Sequence, residues 1–270
     1  MHTFPMPYAL RLKPYTILYS FLIPVLLFLI MPSCAGDQAA IKKTKRVEAL
    51  QQLGMAQAAE GNLRRGLAKL LEAVKLDPDN AELNHQAAVV LRNLGNYELS
   101  LKYFNRALAL KPKYPEAQNN LGTLYLVMGE WDKAIACFKD AISDILYNSP
   151  QFAYNNMGYA YFKKGDYDKA IENYKRALKA SPSYTLCYAN LARAYEAKGE
   201  LEEAVAAYKQ GVLYIPKDSA SHLGLAKVLL NLDKKKEAKE ELDLTIWADP
   251  AGPQAKEARE MLKGIEGLRD

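Results

Sequence analysis

The chain has 270 residues, half of them apolar, which is enough to bury a substantial core, so the protein is expected to fold. Its formal charge is only +5, from 36 basic and 31 acidic residues spread along the chain, and this balance argues against a nucleic-acid binder. The cysteines, Cys34, Cys137 and Cys187, are too few and too scattered for a disulfide framework or a thiolate metal site.

The N-terminus has the organisation of an export signal. Residues 1–33 contain no Asp or Glu, carry Arg11 and Lys13, and then run apolar from Tyr15 to Met31. A positively charged start followed by an apolar run predicts a membrane-directing segment. The run of 17 residues is at the lower limit for crossing a bilayer, so its length leaves open a cleaved signal peptide or a retained anchor.

The end of this run resembles the bacterial lipobox, because Met31-Pro32-Ser33 precedes Cys34. The resemblance implies that residues 1–33 are a lipoprotein signal peptide and that Cys34 is lipidated, since thioether formation needs a sulfur nucleophile. The alternative is an uncleaved anchor in which Cys34 is incidental. Ala35 and not Asp follows the cysteine, which by the same resemblance implies an outer-membrane location facing the periplasm. Residues 34–46 are predicted to be a polar tether.

A period of 34 residues is the strongest signal in the sequence. Leu-Gly or its equivalents recur at positions 7 and 8 of the units, as in Leu121-Gly122, and Ala recurs at positions 20 and 27, as at Ala134. The small residues among them allow two helices to pack closely. The pattern resembles the tetratricopeptide repeat (TPR) family. It implies an all-α solenoid of six helix-turn-helix repeats, spanning residues 47–80, 81–114, 115–150, 151–184, 185–218 and 219–252.

Turn residues and a final helix complete the predicted solenoid. Asp233 replaces glycine in the turn of the sixth unit, and residues 253–270 read as an amphipathic helix that caps the open end. The glycines between paired helices are Gly61, Gly95, Gly129, Gly165 and Gly199. The prolines just beyond second helices are Pro78, Pro112, Pro182, Pro216 and Pro250.

The resemblance implies that positions 2, 5, 6, 9, 12 and 13 of the first helices line a concave groove. A carboxamide carries a donor and an acceptor, so a row of them at position 6 is suited to pairing with a peptide backbone. The alternative is that these amides satisfy local helix-end groups. The predicted row is Gln52, Gln86, Asn120, Asn156 and Asn190, and Gly224 interrupts it in the sixth unit.

Beside the row, an apolar and aromatic patch is predicted in the middle of the groove. Such a patch is suited to the hydrophobic side chains of a partner, although aromatic residues also fill the cores of these repeats. Arg193 and Lys227, both at position 9, are candidates to meet acidic groups of a partner or to be simply solvated. The predicted patch consists of Leu126, Val127, Tyr159 and Phe162.

Catalytic signals are absent from the sequence. It contains no HExxH, GxSxG, P-loop or dinucleotide-binding pattern, and only His85 and His222 follow the predicted signal. We therefore expect a non-enzymatic protein without a cofactor, a metal or a small-molecule substrate. Cys137 and Cys187 lie in units three and five and are expected to be packed free thiols.

The third unit is two residues longer than the others, and its end is followed by Asn155-Asn156-Met157-Gly158. This feature is similar to the middle of the type IV pilus biogenesis lipoproteins, or pilotins, which share the plan of lipobox, tether and about six repeats. The resemblance implies a lipid-anchored scaffold that binds the pilus secretin subunit. The alternatives are a generic envelope adaptor for cell-wall hydrolases or secretion components, and an accessory module of a glycosyltransferase.

Overall fold

The computed structural model describes the backbone of residues 16–267 and the side chains of residues 37–265 and 267. Within this part of the chain the structure consists of α-helices and contains no strand. The all-helical prediction is confirmed. The thirteen described helices are α1 (Thr16–Ala59), α2 (Leu63–Leu76), α3 (Ala81–Asn93), α4 (Tyr97–Leu110), α5 (Pro115–Val127), α6 (Trp131–Ser143), α7 (Pro150–Lys163), α8 (Tyr167–Ala180), α9 (Leu186–Lys198), α10 (Leu201–Tyr214), α11 (Ser219–Asn231), α12 (Lys235–Ala248) and α13 (Pro253–Gly267).

The turns inside the hairpins have the backbone that the glycines predict. The five turn glycines adopt left-handed φ values between 77° and 85°. Asp233 adopts φ 56° at the equivalent place, and in the described chain it is the only residue other than glycine with a positive φ. The second helices α2, α4, α8, α10 and α12 each end two residues before the predicted proline.

The chain divides into two compact units, one ending at Leu83 and the other beginning at Asn84. In the first unit, residues 37–46 of the predicted tether are part of α1, and Arg46 of this stretch forms an ion pair with Glu72 at 2.8 Å. Gly54 of α1 and Gly66 of α2 meet closely, because a Cβ atom on Gly66 would lie 2.6 Å from the Gly54 carbonyl oxygen.

In the second unit, four of the second helices, α4, α6, α8 and α10, each pack an aromatic side chain against the first helices. Phe104, Phe138, Tyr174 and Tyr208 occupy the same position of successive units and are all buried. Small residues make room for them: a Cβ atom on Gly122 would lie 2.5 Å from the Phe138 ring. The small positions of the repeat therefore accommodate the core aromatics of α4, α6, α8 and α10.

The last helix closes the second unit. Ala255 and Ala258 of α13 are fully buried, and Ala258 packs in a cluster with Leu223 and Leu242. This confirms the predicted capping helix. The longer third unit ends in a loop in which Tyr147 is buried and Ile145 is exposed, and Pro150 is the first residue of α7.

Among residues whose side chains are described, no helix is both long and apolar enough to cross a membrane. The side chains of the apolar run from Tyr15 to Met31 and of Cys34 lie outside the described ones. The predictions of a signal helix and of a lipidated cysteine stay predictions.

Candidate functional site

Carboxamide side chains connect the first helices α5, α7 and α9 along one face of the second unit, here called the groove face. Asn156 of α7 donates from Nδ2 to Asn119 Oδ1 and Thr123 Oγ1 of α5, both at 3.5 Å. Asn190 of α9 donates to Asn155 Oδ1 of α7 at 3.0 Å. Asn155 in turn donates to Asn156 Oδ1 at 3.4 Å. The amides therefore fix the spacing of three successive first helices.

Asn120 belongs to a separate polar cluster between α3 and α5. Its Nδ2 lies 2.9 Å from Nε2 of His85, and the Tyr114 hydroxyl lies 3.2 Å from His85 Nδ1. Arg92 donates to the backbone oxygen and to the side-chain oxygen of Asn120 at 3.3 and 3.4 Å. An amide nitrogen only donates, so His85 Nε2 accepts and the ring is neutral. Burial, together with the charges of Arg92 and Lys111, lowers the pKa of His85 to about 4.

Apolar and aromatic side chains lie on the groove face beside the amides. Val127 at the end of α5 is 53% exposed, and Leu126 next to it is half-buried. Tyr159 and Phe162 of α7 are also half-buried, and Phe162 packs against the core of the second unit with one side. Leu126, Tyr159 and Phe162 are thus partly packed and also leave surface that a partner can cover. Val127 contributes mainly exposed surface.

Two cations lie over these rings. The guanidinium of Arg193 in α9 is 5.8 Å from the ring centre of Phe162. The ammonium of Lys163 in α7 is 6.0 Å from the ring centres of both Tyr159 and Trp131. In the described part of the chain, neither cation forms a direct ion pair, although the charge of Arg193 acts to lower the pKa of Glu196 one helical turn away. The positive charge of Lys163 is therefore available to a ligand on the groove face, and that of Arg193 is shared with Glu196.

Lys227 of α11, at the same helical position as Arg193 one unit later, differs in this respect. Its ammonium forms an ion pair with Glu257 of α13 at 2.7 Å, and both side chains are about half exposed. Arg193 and Lys227 are equivalent in sequence, but among the described residues only Lys227 forms a direct ion pair, whereas Arg193 interacts with the Glu196 carboxylate at longer range.

The interruption of the amide row at Gly224 has a steric cause. The hydroxyl of Tyr208 donates to Glu196 Oε1 at 2.8 Å. A Cβ atom on Gly224 would lie 2.6 Å from Tyr208 Cζ and 2.7 Å from its hydroxyl oxygen. Burial raises the pKa of Glu196, although the hydrogen bond from Tyr208 opposes the rise. A tyrosine–glutamate pair therefore occupies the place that an amide has in the preceding units.

The remaining predicted residues lie apart from this cluster. Gln52 is exposed on α1 in the first unit, and Gln86 is half-buried on α3 in the second. Cys137 and Cys187 are free and buried, and burial raises the pKa of their thiols to about 11 and about 12. Both are thus packed, unreactive thiols. Within the described side chains, no group of three His, Cys, Asp or Glu residues is placed to hold a metal ion.

Three family profiles match the chain, over residues 79–144, 152–184 and 186–218, and each is described as a tetratricopeptide repeat. Together with the helical hairpins, these matches decide the family. The chain belongs to the tetratricopeptide repeat family. TPR proteins in general act as protein-interaction scaffolds and not as catalysts, and their stacked hairpins present extended binding surfaces.

Solved structures share the TPR fold over most of the chain. One, titled as a characterisation of Pseudomonas aeruginosa PilF, has a TM-score of 0.70 and 18% identity and covers 82% of this chain and 99% of its own. Another, described as PilW, a widely conserved type IV pilus biogenesis factor, has a TM-score of 0.72 and 24% identity and covers 78% and 96%. At these identities the likeness shows the fold.

Similar sequences include photosystem I assembly proteins named Ycf3. The protein of Cyanophora paradoxa is 33% identical over 92 residues, which are 33% of this chain and 53% of the relative. That of Rippkaea orientalis is 29% identical over 120 residues, 38% of this chain and 69% of the relative. The chain thus spans about half the length of the Cyanophora protein it matches.

Several residues of the TPR groove face were not predicted as site residues. Asn119 and Asn155 precede the predicted amides and are their hydrogen-bond partners, and His85 and Arg92 hold Asn120. The doublets Asn119-Asn120 and Asn155-Asn156 were a signal in the sequence, because adjacent positions 5 and 6 both face the groove in this family. Tyr174, which reaches the groove face from α8, was not predicted either.

Proposed function

We propose that this TPR protein is an assembly scaffold that holds an extended segment of a partner protein on the groove face of its second unit. The observation that carries the proposal is the cluster of exposed apolar surface and cations on α5, α7 and α9. Val127 and Tyr159 offer apolar contact area, and Lys163 and the exposed Arg193 offer positive charge. The amides underneath hold these helices in place, so a segment can dock with little rearrangement.

The proposal includes an anchor in the bacterial envelope. Cys34 would carry the lipid and place the repeats at the outer membrane, facing the periplasm, and the partner would be the secretin subunit of the type IV pilus. The lipobox-like sequence before Cys34 supports the anchor. The shared fold with PilF and PilW, the second of which is described as a pilus biogenesis factor, supports the partner.

A second candidate is a scaffold for the assembly of a different membrane complex. The sequence similarity to photosystem I assembly proteins favours it, since that similarity reaches 33% identity over 92 residues. Both candidates use the same groove face and differ in the partner.

The test is affinity capture from detergent-solubilised envelopes with the tagged full-length protein. The doubly substituted variant Val127→Ala and Tyr159→Ala should lose the partner that the wild type retains. Tyr97→Ala is the matched control, because Tyr97 is a partly exposed aromatic residue on the second helix α4. Recovery of a secretin supports the pilus assignment, recovery of other assembly subunits supports the second candidate, and retention of the partner by the double variant contradicts the groove face.

The anchor is tested separately by labelling with a radioactive fatty acid. Wild type should incorporate the label and fractionate with outer membranes, and Cys34→Ser should not. Cys137→Ser removes a buried thiol and should leave labelling unchanged. Equal labelling of wild type and Cys34→Ser, or none in either, contradicts lipidation at this residue.

A further inference from the structure

The part of α1 that leads into the first repeat carries a dense run of cations. Lys42, Lys43, Lys45 and Arg46 follow one another closely, and all of their side chains are exposed. Arg46 has a counter-ion, since it forms the ion pair with Glu72. The three lysines, here called the lysine cluster, form no ion pair among the described residues. The repeat therefore leaves their charge uncompensated.

The acidic residues nearby lie on another side of the helix. Asp37 and Glu48 are exposed and are separated by about three helical turns, so they share one line along α1. Lys42 comes five residues after Asp37 and therefore lies about 140° around the helix from that line. Val47, which is buried on the core side, lies about 140° from Lys42 in the other direction. The lysine cluster thus forms a basic face that is separate from both.

The lysine cluster follows closely on the membrane-directing segment. Because α1 runs from Thr16 to Ala59 without a break, Lys42 is about 12 Å of helix beyond Cys34, and Lys45 is about 17 Å beyond it. The potential of an anionic lipid surface decays over about 8 Å at physiological ionic strength, and long lysine side chains can reach toward such a surface. An anchor at Cys34 therefore holds the cluster within range of lipid headgroups.

We propose that the lysine cluster binds the headgroups of anionic phospholipids and holds the start of the first repeat against the membrane that carries the anchor. Charge complementarity selects the anionic lipid, since each lysine close to such a surface strengthens the attraction about fivefold. A second copy of the chain would present the same positive face and would be repelled. This inference rests on the proposed anchor, and it holds equally for a lipid on Cys34 and for a retained apolar segment.

The test compares the lipids next to α1 in vesicles that contain the full-length protein. Gln38→Trp places a fluorescent reporter one helical turn before Lys42, and Trp131→Phe with Trp247→Phe removes the two native tryptophans. The vesicles consist of phosphatidylcholine with about one third phosphatidylglycerol, an anionic lipid. Bromine on one of the two lipids quenches nearby tryptophan fluorescence.

At equal amounts of brominated lipid, brominated phosphatidylglycerol should quench the reporter at least about twofold more strongly than brominated phosphatidylcholine, and salt at about 1 M should remove the difference. Equal quenching by the two lipids at low salt would overturn the proposal. Quenching by neither lipid would overturn it as well, because the reporter would then lie away from the bilayer.

Matched variants separate charge from other properties of the helix. Replacing all three lysines of the cluster by Gln should equalise the quenching by the two lipids, whereas replacing them by Arg keeps the charge and should keep the preference. The three side chains are exposed, so both variants should fold. The control Lys179→Gln, Lys236→Gln and Lys256→Gln removes the same charge from exposed sites of the second unit and should leave the preference unchanged. A preference that survives the Gln variant, or that is lost equally in the control, would contradict the lysine cluster.

Failure of the lipid surface is distinguishable from failure of the anchor. If wild type incorporates the fatty acid at Cys34 but the reporter shows no preference for phosphatidylglycerol, the anchor stands and the surface is wrong. If the preference is present without fatty-acid labelling, the apolar segment is the anchor and the surface stands. If there is neither labelling nor quenching, both are wrong.

Discussion

Two neighbouring contacts between first helices, that of α7 with α9 and that of α9 with α11, are here called crossings. They are built from the same repeat but differ in the side chains that fill them. Where α9 meets α11, the Tyr208 hydroxyl binds the Glu196 carboxylate and fills the space above Gly224. This crossing satisfies its polar groups internally and leaves no room for a side chain at position 6.

Where α7 meets α9, Phe162 takes the place of the carboxylate, and Tyr174, Asn190 and Arg193 line a crevice that faces the groove. The helices there are joined by amides instead, through the bond between Asn190 and Asn155. The two crossings differ at position 12, where Phe162 stands in place of Glu196, and at position 6, where Asn190 stands in place of Gly224. These exchanges together separate a structural contact from a crevice on the groove face.

The largest expected effect on stability comes from adding a side chain at Gly224, in the crossing of α9 with α11. Gly224→Ala would place a Cβ atom 2.6 Å from Tyr208 Cζ, so the ring must move, and overpacking of this kind costs about 1–3 kcal/mol of unfolding free energy. Urea unfolding measures it. Gly264→Ala in α13 is the control, since its Cβ would meet nothing within 4 Å and alanine favours a helix. Wild-type stability for Gly224→Ala would contradict the close contact.

The two tyrosines should differ when their hydroxyls are removed. Tyr208→Phe leaves the partly buried Glu196 carboxylate without its donor and should lower the unfolding free energy by about 1–2 kcal/mol at neutral pH. Tyr174→Phe removes a hydroxyl that has no partner in the described chain, so its stability should stay within about 0.5 kcal/mol of wild type. Chemical denaturation compares the two, and equal losses would show that the crossings are alike.

The crossing of α3 and α5 should depend on pH, unlike the amide-linked crossing of α7 and α9. The pKa of His85 is lowered to about 4 by burial and by Arg92 and Lys111, so unfolding binds a proton between that value and the ordinary 6.5. Stability is therefore present above pH 6.5 and is lost as the pH falls toward 4. His85→Gln should flatten this acid loss in a series of melting temperatures.

His222 provides the opposite sign in the same measurement. Burial lowers its pKa, but the hydrogen bonds to Glu241 at 2.6 Å and to the Pro216 carbonyl at 3.2 Å outweigh burial and raise it. Its stabilising effect is complete below pH 6.5 and is lost as the pH rises through the raised pKa. His222→Gln should flatten the loss on the alkaline side, and identical profiles for both variants would contradict these assignments.

The smallest effect is expected from the amides themselves. Asn190→Ala removes the bond to Asn155 at 3.0 Å and should cost about 1 kcal/mol. Asn156→Ala removes two donated bonds at 3.5 Å and one accepted from Asn155 at 3.4 Å, all of which are long, and should cost less than Asn190→Ala. Denaturant midpoints rank the two variants. A larger loss of stability for Asn156→Ala would contradict the expectation that its long hydrogen bonds are weak.

Most of the fold was predictable because the same 34-residue signal occurs again and again. Turn glycines, Asp233 and the prolines each mark a backbone requirement that is local in sequence, and the structure has helix ends at these places. The face of each first helix was predictable for the same reason, since helical position determines direction.

The partners across helices were not predictable from single positions. Whether Asn120 meets His85, or Asn190 meets Asn155, depends on how two units stack, and the repeat pattern does not contain that distance. The role of Tyr174 needed a comparison of position 24 with position 12 of its own unit and position 9 of the next. The available signal was that the fourth unit combines Tyr174 with Phe162, whereas the fifth unit combines Tyr208 with Glu196.

The most direct test of the binding surface is photocrosslinking from the groove face in envelopes of the native host. p-Benzoylphenylalanine in place of Tyr159 should give an adduct with a partner protein, and the adduct should disappear when Arg193→Gln is added. The same probe in place of Tyr97 on α4 should give none. Adducts of equal yield at both positions, or at Tyr97 alone, would contradict a partner-binding groove face.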